Sequence, residues 1–154
     1  IIGRKGYELL IDIGIERART FAKMIRQHPD FELASEPELN ILTYRYCPRS
    51  LQQQLARAAA HQSCRINALL DQVNQLLQKY QREAGKTFVS RTRLRVAAYG
   101  LQELTVLRVV LANPLTTDEV LAAVLNEQCA IVQEPEMAAL LEHVEALSKE
   151  ISSS

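Results

Sequence analysis

The side chains best placed to do chemistry in this sequence are arginines set within apolar runs. Arg108 sits inside Leu104-Thr105-Val106-Leu107-Arg108-Val109-Val110-Leu111, where a charge is least expected. An inward-pointing, unpaired guanidinium would cost several kcal/mol, so it would need a carboxylate, a phosphate or several carbonyls. Its planar fork suits bidentate capture of a carboxylate. The competing reading places Arg108 in solvent on an edge strand, or against an internal acid. Arg91, Arg93 and Arg95 alternate, so in a strand all three project from one face. That face is either an anion-binding stripe or a solvated surface balanced by acidic residues elsewhere. Arg45, in Tyr44-Arg45-Tyr46, would join either arrangement, although its aromatic neighbours are too few for a base-stacking platform.

Other candidate chemistries are weaker. Gly3-Arg4-Lys5-Gly6 lacks the spacing of a phosphate loop and reads as a glycine entering a helix. Ser90 and Thr92 have no neighbouring His or Asp to act as a base, and Glu36 and Glu38 fall in a turn-like stretch. Cys47, Cys64 and Cys129, and His28, His61 and His143, are dispersed and show no paired ligand spacing. The expectation is therefore no metal site, no disulfide framework and a reducing, cytoplasmic setting.

These residues must be held by a folded body, and the composition provides one. The 154 residues are 47% hydrophobic, enough for one domain with a real core. No apolar run reaches the roughly 20 residues of a bilayer span, and no signal peptide is evident. Net charge is zero, which weakens the case for nucleic acid or a membrane surface as a partner. The charge is unevenly spread: 16 basic and 9 acidic residues in 1–100 leave +7, while 2 basic and 9 acidic residues in 101–154 leave −7.

Apolar residues from Tyr7 to Ile25 recur at three- and four-residue steps, which predicts a helix ended by His28-Pro29. Phe31–Ala34 reads as a strand, Ser35–Glu38 as a turn and Leu39–Tyr46 as a second strand. Leu51–Gln62 would be a short helix or an ordered loop. Ile66 to Tyr80 carries a clear helical stripe, with Gly85 placed for a left-handed cap. Thr87–Val96 and Leu104–Leu111 read as strands. Thr116 and Glu119 match a capping box for a following helix, and Glu134-Pro135 opens a last amphipathic helix running to Ile151. The order α-β-β-(α)-α-β-β-α-α predicts an α+β layer, an antiparallel sheet of about four strands covered by helices.

With these elements in place, the sequence resembles a known family. Gly3-Arg4-Lys5-Gly6-Tyr7 before a helix, Pro29-Asp30-Phe31-Glu32-Leu33, Glu36-Pro37-Glu38-Leu39-Asn40-Ile41-Leu42-Thr43-Tyr44-Arg45 and Phe88-Val89-Ser90-Arg91-Thr92 carry the likeness. The more specific run is Leu107-Arg108-Val109-Val110-Leu111-Ala112-Asn113-Pro114. Together they resemble the C-terminal small domain of group II pyridoxal-phosphate-dependent amino acid decarboxylases, within the fold-type I enzymes, over most of residues 3–130. The nearest branch handles aspartate, glutamate or 2,4-diaminobutyrate.

The resemblance implies an enzyme that releases carbon dioxide from an amino acid, with pyridoxal phosphate taking up the electrons of the broken bond. It implies that Arg108 holds the substrate carboxylate. It also implies that the Schiff-base lysine and the other cofactor contacts belong to a large domain not in this sequence, since Lys5, Lys23, Lys79, Lys86 and Lys149 match no such motif. The expectations are thus residues 1–131 as the decarboxylase-type domain, 132–154 as an added helix and tail, and the chain as part of a longer homodimeric polypeptide. The alternative is a stand-alone α+β module that binds an anionic metabolite or a partner protein.

Overall fold

A computed structural model describes residues 2–87 and 89–154, so Ile1 and Phe88, the latter part of the Phe88–Thr92 motif and of the expected Thr87–Val96 strand, lie outside the described residues. Helix α1 (Arg4–Gln27) begins at Gly3 and ends where His28, before Pro29, turns to extended backbone. Strands β1 (Phe31–Glu38) and β2 (Ile41–Tyr46) form a hairpin, followed by α2 (Arg49–Arg57) and α3 (Ala60–Ala84). Strands β3 (Ser90–Val96) and β4 (Gln102–Val110) form a second hairpin, and α4 (Asp118–Ile131) and α5 (Pro135–Ser152) complete the chain. Among the described residues the strands form one antiparallel sheet, in the order β1-β2-β4-β3. The expected α+β class, strand number and element order all hold.

Three local expectations need correction. The first turn lies at Leu39-Asn40, not at Ser35–Glu38, because β1 continues through Pro37. Proline is tolerated there because β1 is an edge strand and its missing N–H breaks no ladder. Leu39 takes a left-handed conformation with φ +53° to close this two-residue turn. The second correction concerns α4. Its cap is Thr117, whose hydroxyl accepts from the Val120 amide at 3.3 Å, so the Thr116–Glu119 box is displaced by one residue. Lastly, Leu51–Gln62 is two helical pieces, α2 and the first turn of α3, with Gly85 capping α3 in the left-handed region as expected.

The main core lies between the helices and one face of the sheet. Leu42 and Tyr44 of β2 and Leu107 and Val109 of β4 alternate onto that face, where they join Phe21, Ile25, Ile66, Leu70 and Leu77 from α1 and α3. Phe31 sits edge-on to both Tyr44 and Tyr46, with centroids 5.8 and 5.6 Å away. Helix α5 adds Met137 and Val144, both fully buried, to the same core. At Gly14 α1 comes so close to the end of the sheet that a Cβ would stand 2.8 Å from the Leu111 carbonyl oxygen.

Strands β2 and β4 pair from Ile41↔Val110 to Tyr44↔Leu107 and then part. Side chains of α3 satisfy the backbone groups exposed by this fork. Asn74 accepts from the Tyr46 amide at 2.7 Å and donates to its carbonyl at 3.1 Å, while Asp71 accepts from the Thr105 amide at 2.8 Å. Burial holds the Asp71 carboxyl above its ordinary pKa, with the Thr105 amide opposing that rise.

Candidate functional site

Arg108 occupies β4, an interior strand, which removes the edge-strand reading. Its side chain leaves the core face and is exposed. Among the described residues it forms no ion pair. The register places it in one cross-strand row with three hydroxyl residues: Ser35 opposite Thr43, Thr43 opposite Arg108, and Arg108 opposite Ser90. Ser35 and Thr43 hydroxyls are hydrogen-bonded at 2.7 Å, and the Ser90 hydroxyl donates to the Arg108 carbonyl at 3.2 Å. Directly opposed side chains lie roughly 4.5–5.5 Å apart at Cβ, so the guanidinium has small polar neighbours on both sides and no acid in its row. Such a row offers a free cationic fork flanked by hydroxyls, which is suited to a carboxylate arriving from outside.

The buried arginine of this fold is Arg45. Its side chain is 1% exposed. It donates from Nε to Glu32 at 2.7 Å and from Nη1 to Asn67 of α3 at 2.9 Å, and its guanidinium carbon lies 4.9 Å from the Tyr99 ring centroid. Tyr99 in turn donates to the second Glu32 oxygen at 2.5 Å. The Nη2 group has no hydrogen-bond partner among the described residues. Burial opposes the charged guanidinium, but Cys47, Glu32 and Tyr99 outweigh that effect and hold its pKa above the ordinary value. Burial also pushes the Tyr99 phenol up, and it pushes the Cys47 thiol up to about 12. The requirement for an internal acid, argued for Arg108, therefore applies to Arg45.

The sequence missed this because of register. At the turn Glu38 pairs with Ile41, but two irregularities in β1 slide the pairing, so that Glu32 faces Arg45. A regular ladder would have put Ala34 there. The signal lies in the backbone of an edge strand, not in a residue pattern.

The remaining candidates separate. Arg91, Arg93 and Arg95 lie on the exposed side of β3, an edge strand, where charge also discourages edge-to-edge pairing. Arg93 pairs with Glu103 at 3.2 Å, and Arg91 reaches the Gln75 carbonyl at 3.4 Å. These arginines share the face opposite Arg108, so the four do not converge. His28, Asp30 and Cys129, distant in sequence, bring ligand-capable atoms within 4.8 Å of one another. His28 Nδ1 accepts from the Asp30 amide at 3.1 Å, and Nε2 lies 3.7 Å from Cys129 Sγ. Burial, and then the Asp30 charge, hold the Cys129 thiol above its ordinary pKa.

No protein-family model matches the chain. Aspartate 1-decarboxylase of Aliivibrio fischeri is 52% identical over 138 residues, covering 90% of this chain and 25% of that protein. Mouse CSAD superposes with a TM-score of 0.65 at 24% identity, over 82% of this chain and 24% of its own. The glutamate decarboxylase domain of a diaminobutyrate-pyruvate transaminase and L-2,4-diaminobutyrate decarboxylase from Vibrio parahaemolyticus gives 0.57 at 21%, over 97% of this chain and 24% of its own. The chain has the fold of the C-terminal small domain of group II pyridoxal-phosphate-dependent decarboxylases.

It spans about a quarter of the length of each of these relatives. Oryza sativa TDC, solved with PLP and tryptamine, shares the fold with a TM-score of 0.62 at 17% identity, over 86% of this chain and 24% of its own. This chain's own residues do not fit pyridoxal phosphate as a resident group. Among the described residues no lysine, aspartate or glutamate is buried, so none is placed as a sequestered imine lysine or pyridinium partner. Arg108 is exposed and, among the described residues, forms no ion pair.

No helix among the described residues is long and apolar enough to cross a membrane.

Proposed function

We propose that this chain is the C-terminal part of a cytoplasmic, homodimeric pyridoxal-phosphate-dependent decarboxylase acting on aspartate, glutamate or 2,4-diaminobutyrate, and that Arg108 binds the substrate carboxylate. The observation that carries the reading is an unpaired guanidinium on an interior strand, in a row of hydroxyls, within a chain 52% identical to an aspartate 1-decarboxylase. In this reading residues 1–131 form the decarboxylase-type unit and 132–154 the added helix. A large domain supplies the cofactor and its lysine, and this domain contributes a rigid mount for Arg108. The pairs with β2 and β3 fix the Arg108 backbone on both sides, so the entropy lost when a carboxylate binds is confined to the side chain's rotamers.

The test is to express the intact polypeptide carrying this segment, load it with pyridoxal phosphate and assay carbon dioxide release from the three amino acids. Stoichiometric release from one of them is expected. An intact, cofactor-loaded protein that releases none from these three would overturn the proposal.

A further inference from the structure

A second candidate site lies away from Arg108, on the far side of the sheet. Tyr80 near the end of α3 is bonded to Glu136 at the start of α5, and Ile66 near the start of α3 lies beside Ser148 and Ile151 at the end of α5, so the two helices run antiparallel. A groove of 520 Å³ follows them, lined by Gln72, Gln75, Leu76 and Lys79 on one helix and Glu136, Ala139, Leu140 and His143 on the other. Both sets follow the i, i+3, i+4, i+7 spacing of a single helical stripe. Arg82 and Arg91, the latter from β3, complete the wall. From Gln72 to Arg82 the groove follows α3 for about 15 Å at 1.5 Å per residue.

Its chemistry is uneven. Leu76, Ala139 and Leu140 make an apolar floor, while Lys79, Arg82 and Arg91 stand around it. Among the described residues none of these three cations forms an ion pair, and Arg91 touches only the Gln75 carbonyl, at 3.4 Å. Among the described residues the one carboxylate lining the groove, that of Glu136, is engaged by the Tyr80 hydroxyl. The volume falls within the roughly 300–1,000 Å³ of small-molecule sites, whose usual make-up is an apolar floor with a few polar anchors. Three unpaired cations over such a floor select for a negative head on an apolar body.

We propose that the α3–α5 groove binds a small amphiphilic anion, its phosphate or carboxylate head between Lys79, Arg82 and Arg91 and its apolar body along Leu76, Ala139 and Leu140. This site is separate from Arg108, which lies on the opposite face of the sheet.

The test titrates the intact polypeptide carrying this segment with octyl phosphate, octanoate and inorganic phosphate, following binding by calorimetry and by shifts in amide hydrogen exchange. Saturable binding of octyl phosphate alone assigns a phosphate head, and of octanoate alone a carboxylate head, and binding of both assigns an anion of either kind. Each supports the site if shifts centre on α3 and α5. The double variant Lys79→Glu/Arg82→Glu should weaken binding at least tenfold, whereas Arg95→Glu, on the same strand as Arg91 but outside the groove, should leave it within twofold. Ala139→Phe, at an exposed helix position, should block the floor independently of charge. Binding of neither amphiphile overturns the proposal, as does inorganic phosphate binding as tightly as octyl phosphate. So does an equal loss in Arg95→Glu, or unchanged binding in folded Ala139→Phe.

Discussion

Arg45→Met removes the buried cation while keeping an unbranched side chain of similar reach. The variant loses the bonds from Nε to Glu32 and from Nη1 to Asn67, together with the contact over Tyr99. It also leaves the Glu32 carboxylate, whose side chain is 19% exposed, without its cation. Removing one partner of a buried pair costs about 3–5 kcal/mol. For a chain of this size that corresponds to a fall in Tm of roughly 6–20 °C. Urea unfolding of the purified chain, followed by circular dichroism, measures it. Because much of the loss comes from the stranded carboxylate, the double variant Glu32→Gln/Arg45→Met should recover part of it. A loss below about 1 kcal/mol in Arg45→Met, or a double variant less stable than the single, would refute the reasoning.

Three further outcomes follow from the geometry. Gly14→Ala should destabilise by about 1 kcal/mol or more, because crowding against the Leu111 carbonyl at 2.8 Å and the Asn40 Cβ at 3.0 Å outweighs the helix-propensity gain of about 1 kcal/mol; a more stable variant in urea would contradict the close approach. Leu39→Gly should stabilise by about 0.5–1 kcal/mol, since Leu39 is exposed and held at φ +53°; a lower urea midpoint would show that Leu39 makes contacts that outweigh its strain. The Glu119 carboxyl, held below its ordinary pKa of 4.5 by its own amide and then by the Thr117 hydroxyl, contributes stability above its unfolded pKa and loses it as pH falls through the lower folded value. In Thr117→Ala the Glu119 carboxyl should titrate closer to 4.5 by carbon-detected NMR, and loss of the cap should cost about 1 kcal/mol; an unmoved titration would remove Thr117 from the account.

The parts of the fold legible in the sequence were those written in side-chain periodicity. The stripe from Ile66 to Tyr80, Gly85 behind it and Glu134-Pro135 ahead of α5 each encode an element locally, and each was found. The β1–β2 turn was misplaced because Pro37 is an ordinary turn signal, and only sheet order shows that its strand lies on an edge. The site was half legible. Arg108 stood out as a charge in an apolar run, yet the flanking Thr43 and Ser90 depend on pairing between strands far apart in sequence. Arg45 was the reverse case: its burial depends on two irregularities in β1 and on a fork filled by α3, neither of which leaves a residue pattern. The groove along α3 and α5 was hidden for the same reason, since its two stripes are over fifty residues apart (Gln72 and Glu136).

Arg108→Met in the intact, cofactor-loaded polypeptide tests the central claim most directly, because an exposed and unpaired side chain should contribute to chemistry without contributing to folding. The account predicts urea stability within about 0.5 kcal/mol of the parent. It also predicts unchanged cofactor absorbance and a kcat/KM for decarboxylation reduced at least tenfold, about 1.4 kcal/mol of transition-state binding. Near-normal turnover, or a loss of activity that merely tracks a loss of stability, would contradict it.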